Sequence, residues 1–282
     1  MRNGFKFKDR HSSEFDVTVR TKSRPIRPEA KSFTIDLPCR DGEYDFSLSN
    51  PQKREHFYDR TFIVTLSLYA ENLMKMQSKL MEVSKWLTGR GNLIFDDIPS
   101  VIWNGKIADE IIYMPEHDGR KAVLEVSFRV QPFGSCIFGT EGPVLDCAEV
   151  HLDSTIPIGF DELYTVSAAN GQSINIINFG DRPISPVITI TGGASDMTLR
   201  MNSKTLDFSA GGDVVVDCEK QTVTNANGSV MVSGTFPELL PGDNVLYIGN
   251  SNSGTLTFDI SFTPQFMYGA DLDNLDWGDS DA

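Results

Sequence analysis

The sequence predicts a mainly β protein of two domains. The first is an α+β domain in which an antiparallel, sandwich-like β-sheet carries one packed helix, and the second is a jelly-roll or galectin-like β-sandwich. Three observations predict this. Helical periodicity is sustained over one stretch, residues 71–89. After residue 148 only short strand-like runs recur, about every ten residues, with turn signals between them. Between Pro132 and Pro143 the chain passes through PFGSCIFGTEGP, rich in Gly and Pro, where the charge balance also changes. At 282 residues the chain is near the size at which one hydrophobic core stops growing. The expected boundaries are 1–133 for the first domain, 134–147 for a linker and 148–282 for the second domain with its acidic tail.

In chain order, Phe5–Phe7, Phe15–Arg20 and Ser32–Leu37 read as strands, the last two by alternation. TKSRPIRPEAK, residues 21–31, has two prolines and several basic residues and reads as an extended connector, either an arm onto a neighbouring subunit or a solvated loop. Residues 39–60 are polar with interspersed aromatics and no period. Thr61–Tyr69 is the best strand, with Phe62, Val64, Leu66 and Leu68 on one face and Thr65 and Ser67 on the other. The helix follows. Leu73, Met76, Leu80, Val83 and Leu87 recur at helical spacing, and Met74, Met81 and Trp86 widen the apolar face. Gly89 stops it, and a buried strand at 92–95 ends at Asp96-Asp97-Ile98-Pro99. Val101–Tyr113 and Ala122–Val130 then form a hairpin across Pro115–Gly119. The expected core of this domain is Leu66, Leu80, Trp86, Ile94, Val126 and Phe128.

In the second domain the predicted strands are Ser173–Phe179, Ser185–Thr191, Met197–Met201, Asp213–Cys218, Ser229–Val232, Asn244–Ile248 and Gly254–Phe262. Turns are expected at Gly192-Gly193, Gly211-Gly212, Asn227-Gly228 and Pro241–Asn244.

Several chemistries are excluded or disfavoured. Asp96 and Asp97 are adjacent, so on an extended chain they point to opposite faces; a turn in which they bond their own backbone is expected rather than an acid–base pair. The GRG at 89–91 follows a helix instead of opening one and lacks a following Lys-Ser or Lys-Thr, so it is no phosphate loop. Cys39, Cys136, Cys147 and Cys218 are far apart and do not cluster with His11, His56, His117 or His151, which reads as reduced thiols rather than a zinc site. The aspartates around Trp277 lack the ligand ladder of a calcium loop. No cofactor, metal or catalytic residue is predicted. Residues 1–133 hold 21 Lys plus Arg against 19 Asp plus Glu, and residues 134–282 hold 4 against 20, giving +2 and −16. The second half would repel nucleic acid and anionic lipid. No apolar run reaches the length of a membrane helix, and the amino terminus lacks the apolar core of a signal peptide. Membrane insertion is not expected.

GFKF with HSSEFDVTVR, PEAKSFTIDLPCRDGEYDFS, WLTGRGNLIFDDIP, AVLEVSFRVQPF, NFGDRPISPVITITG, TFPELLPGDNVLYIGN and the late FMYG, taken in order, resemble the distal tail proteins of long-tailed, siphovirus-type bacteriophages. The resemblance implies a structural virion protein of the tail tip, made in the bacterial host cytoplasm, whose hexameric ring joins the tail tube to the baseplate and host-adsorption apparatus. It implies as partners the tail tube protein, the tape-measure protein, the tail-associated hub protein and, in some phages, receptor-binding proteins. The first domain would build the ring and the second would project from it. Arg24, Arg27 and Lys31 on the connector and His117, Asp118 and Arg120 at the hairpin are the subunit-interface candidates. Two other classes remain open. A carbohydrate-binding or host-surface adhesion module would need exposed aromatics, and residues 148–262 offer only Tyr164 and Tyr247 among Trp and Tyr. A wall-degrading hydrolase would need a carboxylate pair or a metal set, neither of which is evident.

Overall fold

The computed structural model describes residues 4–39, 41–49, 54–136, 165–251 and 254–269. They divide into two compact units, one comprising residues up to 134 together with 267–269 and the other residues 135–266. Beyond Cys136 the predicted linker lies outside the described residues, as do Cys147, His151, Tyr164 and the acidic tail from residue 270.

The first unit contains β1 (Phe5–Phe7), β2 (Arg10–His11), β3 (Val17–Ser23), β4 (Thr34–Asp36), β5 (Glu43–Asp45), β6 (Arg60–Tyr69), α1 (Leu73–Trp86), β7 (Arg90–Phe95), β8 (Ile98–Ile107), β9 (Ile112–Glu116) and β10 (Lys121–Val130). A 3₁₀ turn, Ser12–Phe15, precedes β3. The main sheet runs β2-β1-β7-β8-β10-β6-β3 with antiparallel neighbours; β9 pairs with β10, and β4 and β5 form a separate two-stranded sheet. β6 and β10 are paired residue by residue from Arg60↔Val130 to Tyr69↔Lys121. Strict alternation puts Phe62, Val64, Leu66 and Leu68 of β6 in the core beside Val126 and Phe128 of β10.

The core of this unit is aromatic. Trp86 stacks on Phe15 with centroids 4.3 Å apart and on Phe5 at 5.3 Å, while Phe128 meets Phe5 and Phe7 edge-on. The Trp86 indole N–H donates to Phe7 O at 3.1 Å, so the ring is buried without an orphaned donor. Burying each such side chain contributes about 1.5–3 kcal/mol. The helix begins where Asn72 Oδ1 accepts the Lys75 N–H at 2.9 Å and ends before Gly89, whose φ of +79° suits a residue without Cβ.

The helix buries less than its periodicity predicts. Met76, Val83, Trp86 and Leu87 are in the core, Leu80 is half-buried, and Leu73, Met74 and Met81 are exposed, Met74 by 80%. At 100° per residue Met74 and Met81 fall opposite the Met76–Val83 strip, and large aromatics on the sheet leave room for only a narrow helix face. Ile94 is also only half-buried, because its neighbours Leu93 and Phe95 take the core side of β7. The single strand expected over Val101–Tyr113 is two: β8 pairs with β10 at Phe128–Val130, the chain leaves the sheet around Asp109 and Glu110, and β9 pairs with β10 at Lys121–Glu125.

The second unit contains β11 (Gly134–Cys136), β12 (Thr165–Ala168), β13 (Ser173–Asn178), β14 (Val187–Met201), β15 (Lys204–Asp217), β16 (Thr222–Asn225), β17 (Gly228–Ser229), β18 (Val232–Gly234), β19 (Gly242–Asn250), β20 (Leu256–Ser261) and β21 (Gln265–Phe266). Gly192-Gly193 and Gly211-Gly212 are not turns. They lie along the long antiparallel pair β14–β15, where the register shifts between Ile190 and Asp196, and Gly192, Gly193 and Gly212 have φ of +107°, +84° and +90°. These glycines form a bulged bend, and the turn is at Asn202-Ser203. The first half of β14 and the second half of β15 continue into β12, β20, β16 and β17, whereas the other halves continue into β13, β19 and β18. One bent ribbon thereby serves both layers of a sandwich. Ile188, Ile190, Leu199, Leu206, Val216, Ile248 and Phe258 fill the core between them.

Candidate functional site

Between β3 and β6 the first unit makes a long excursion. Its stem is zipped by the Ala30–Phe57 bridge, with Lys31 N donating to His56 O at 2.7 Å and Tyr58 N to Glu29 O at 2.9 Å. Beyond the stem, residues 31–49 form an arm in which every described residue except Ser47 is exposed. Ile35 stands opposite Tyr44 across the β4–β5 ribbon, so Phe33, Ile35, Tyr44 and Phe46 share one face. Ring contacts agree: Phe33–Phe46 centroids are 6.2 Å apart and Tyr44–Phe46 5.5 Å. Thr34, Asp36, Glu43 and Asp45 occupy the other face. The ribbon is therefore patterned as a half-buried sheet, yet Phe33 is 62% exposed.

The base of the arm is rigidly held. Arg60 is buried and donates to Pro25 O at 2.9 Å, Ile26 O at 3.1 Å and Met267 O, with its guanidinium 4.5 Å from the Trp103 ring centroid. Burial pushes its pKa down to about 10, with the Tyr268 phenol opposing weakly, so it stays protonated at neutral pH. Arg24, predicted at an interface, has a side chain only 8% exposed and pairs with Asp97 of its own unit while lying 4.5 Å over Phe95. Lys22 reaches the same carboxylate at 3.1 Å. Partial burial alone would raise the Asp97 pKa; the hydrogen bonds and charges of Arg24 and Lys22 outweigh it and hold it below the ordinary aspartate range. Arg27 pairs with Glu55 at 2.7 Å, and Lys31 lies 5.4 Å over Tyr58, so these two belong to the stem. Thr21–Ser23 are part of β3 rather than of a connector.

The predicted hairpin tip lies at one pole of the unit. His117, Asp118 and Gly119 have φ of +49°, +54° and +77°. Ala70 N donates to Arg120 O at 2.8 Å, which ties the tip to the start of the helix. A Cβ on Gly119 would sit 2.5 Å from Leu73 Cδ2 and 3.9 Å from the Tyr113 hydroxyl. Here Tyr69, Leu73, Met74, Ile112, Tyr113 and Met114 are all exposed, and β9 is an edge strand joined to the sheet through β10. The interface candidates thus separate. Arg24, Arg27 and Lys31 build the base and stem of the arm, whereas His117, Asp118 and Arg120 crown the pole. Sequence reasoning missed the arm face at 33–48, for which the aromatics in an aperiodic polar stretch were the available signal.

Asp96 and Asp97 do point to different places, but neither makes the turn bonds expected of it. Asp96 accepts the Gly4 N–H at 2.8 Å and lies 3.0 Å from His11 Nε2, while Ser13 Oγ is 2.7 Å from His11 Nδ1. This Ser–His–Asp series has the order of a nucleophile, base and orienting acid. His11 Nδ1 also accepts the Ser13 backbone N–H at 3.2 Å, and Glu14 reaches back to the His11 N–H, so the set caps the 3₁₀ turn. Among the described residues no group of three His, Cys, Asp or Glu could hold a metal, and no helix is long and apolar enough to cross a membrane. Burial, with the Asp217 charge, pushes the Cys218 thiol up to about 12, which leaves it unreactive. On the second unit, exposed Tyr247 has the Arg200 guanidinium 5.7 Å from its centroid.

Two family models match the chain: a phage tail protein RIFT-related domain over residues 12–130, and the carboxy-terminal domain of a siphovirus-type tail component over residues 179–266. The crystal structure of the Dit protein of phage SPP1, described as a paradigm of the hub adsorption apparatus in phages infecting Gram-positive hosts, is similar with a TM-score of 0.63 at 13% identity, covering 92% of this chain and 98% of that one. That likeness bears on the fold. The phage P2 baseplate in its activated conformation with Ca aligns over 93% of this chain and 98% of its own at 10% identity, but with a TM-score of 0.37, too low to carry an argument. No curated protein matches the chain.

Proposed function

This chain belongs to the siphovirus-type distal tail proteins, structural components of the phage tail and baseplate, and we propose that six copies form a ring joining the tail tube to the tail-tip adsorption apparatus. The observation that carries the ring reading is the arm. A two-stranded ribbon with one apolar face is marginal in water by itself and needs a surface to cover that face. In this reading the first unit builds the ring, and the tail tube protein, the tape-measure protein and the tail-associated hub protein contact it. The acidic second unit projects outward, where receptor-binding proteins attach in some phages. The chain is made in the host cytoplasm, acts in the virion and needs no cofactor. It has no catalytic task, and the capping role of His11, Ser13 and Asp96 supports that view.

Light scattering on the purified chain, with negative-stain images of the same peak, tests this. Six copies of 31.3 kDa give about 188 kDa, and rings with a central hole at that mass are expected. A species that stays at 31.3 kDa both alone and when mixed with its tail tube protein contradicts the proposal.

A further inference from the structure

The geometry points to a head-to-tail contact in which the arm of one copy lies on the pole of the next, covering Tyr69, Leu73 and the exposed edge strand β9. This rests on the ring reading and specifies the surfaces that would close it. The first unit carries two separate exposed apolar surfaces. One is the arm face of Phe33, Ile35, Tyr44 and Phe46, with Leu37 and Leu48 exposed beside it. The other is the pole, where Tyr69, Leu73, Met74 and β9 residues Ile112, Tyr113 and Met114 are exposed.

The two surfaces differ in kind, and each has what the other lacks. β9 bonds to β10 on one side, and an exposed, apolar edge strand is a template for another strand. The arm is itself a ribbon whose strands pair only with each other, so it can add to such an edge while laying its aromatic face on Leu73 and Tyr113. The arm carries Asp36, Asp41, Glu43 and Asp45 against Arg40, whereas the exposed Arg120 at the pole makes no ion pair among the described residues. At about 3.3 Å per residue, a ribbon of roughly eight residues per strand extends on the order of 25 Å, enough to reach across to a neighbouring copy. Two unlike patches on one chain define a heterologous interface, whose repetition closes into a ring or continues as a filament; a twofold dimer would need one self-complementary patch. The occupant of the pole is therefore a second copy of this chain.

Two full-length variants test the pairing. One carries Phe33→Asp and Tyr44→Asp in the arm, the other Ile112→Asp and Met114→Asp at the pole. Each alone is expected at 31.3 kDa with a cooperative melt like that of the unsubstituted chain. Mixed one to one, they are expected to give a two-chain species of about 63 kDa that grows no further, because one retains an intact pole and the other an intact arm. Where a double variant melts early, Phe46→Ser or Tyr113→Ser replaces it and is read by the concentration at which assembly begins, which should rise at least tenfold. Variants that assemble like the unsubstituted chain, or that stay monomeric when mixed although both melt normally, overturn the arm-to-pole contact and leave the ring reading standing. An unsubstituted chain that never assembles removes the ring itself.

Discussion

The two units solve the same problem differently. The second unit bends one long ribbon, β14–β15, through glycine bulges so that both layers of its sandwich cover each other. The first unit sinks its aromatics around Trp86 but leaves an amphipathic ribbon and an apolar edge strand uncovered. Exposed apolar side chains in the second unit, such as Met231, Val245 and Tyr247, are spread over different strands and turns. The difference shows where self-sufficiency ends: one unit is complete as a monomer, and the other is complete only when something covers its arm.

The comparison can be broken most forcefully in the cores. Phe258→Ala should destabilise the second unit by about 3–5 kcal/mol while leaving the mass of any assembly unchanged below the melt; calorimetry and light scattering check both parts. Arg60→Met should cost about 2–4 kcal/mol, because the carbonyls of Pro25, Ile26 and Met267 lose their buried donor, and it should loosen the base of the arm. Protease cleavage between residues 24 and 59 would report that loosening, and unchanged resistance would argue that the base is held by other contacts.

A smaller effect concerns pH. The Asp97 pKa is depressed in the folded chain, so its ionised form favours folding above the ordinary aspartate value of 3.8, and this contribution disappears as pH falls through the lower folded value. Acid titration of unfolding should therefore lose a component in the Asp97→Asn variant, at a cost of about 1 kcal/mol at neutral pH, since this carboxylate is 42% exposed. The smallest effect is expected at Tyr247. Tyr247→Ala should leave assembly unchanged and stability within about 0.5 kcal/mol, and a glycan array is expected to show no binding that this change removes.

Much of the fold is legible in the sequence where burial is decided within the chain. The alternation of Phe62 through Leu68 and of Val126 and Phe128 identifies the faces that the sheet buries. Where another surface decides, the same signals mislead. Ser32–Leu37 alternates as cleanly as a core strand, yet Ile35 and Phe33 are exposed, because alternation shows that a face needs cover and not which surface supplies it. Met74 and Met81 likewise satisfy helical spacing on the side away from the sheet. The glycine pairs of β14 and β15 read as turns because a bulge and a turn both require positive φ, and only strand pairing separates them. At the candidate interface the basic residues of the connector were visible, but their partners, Asp97 and Glu55, are distant in sequence and come together only in the fold.

The most direct test of the uncovered arm is hydrogen–deuterium exchange over residues 33–48, compared between the assembled chain and the pole variant Ile112→Asp/Met114→Asp. Amides that face outward from the β4–β5 ribbon should be protected in the assembly and exchange freely in the variant, with no change in the second unit. Equal, rapid exchange in both states would mean that the arm stays solvated in the assembly, contradicting the claim that the first unit is completed by its neighbour.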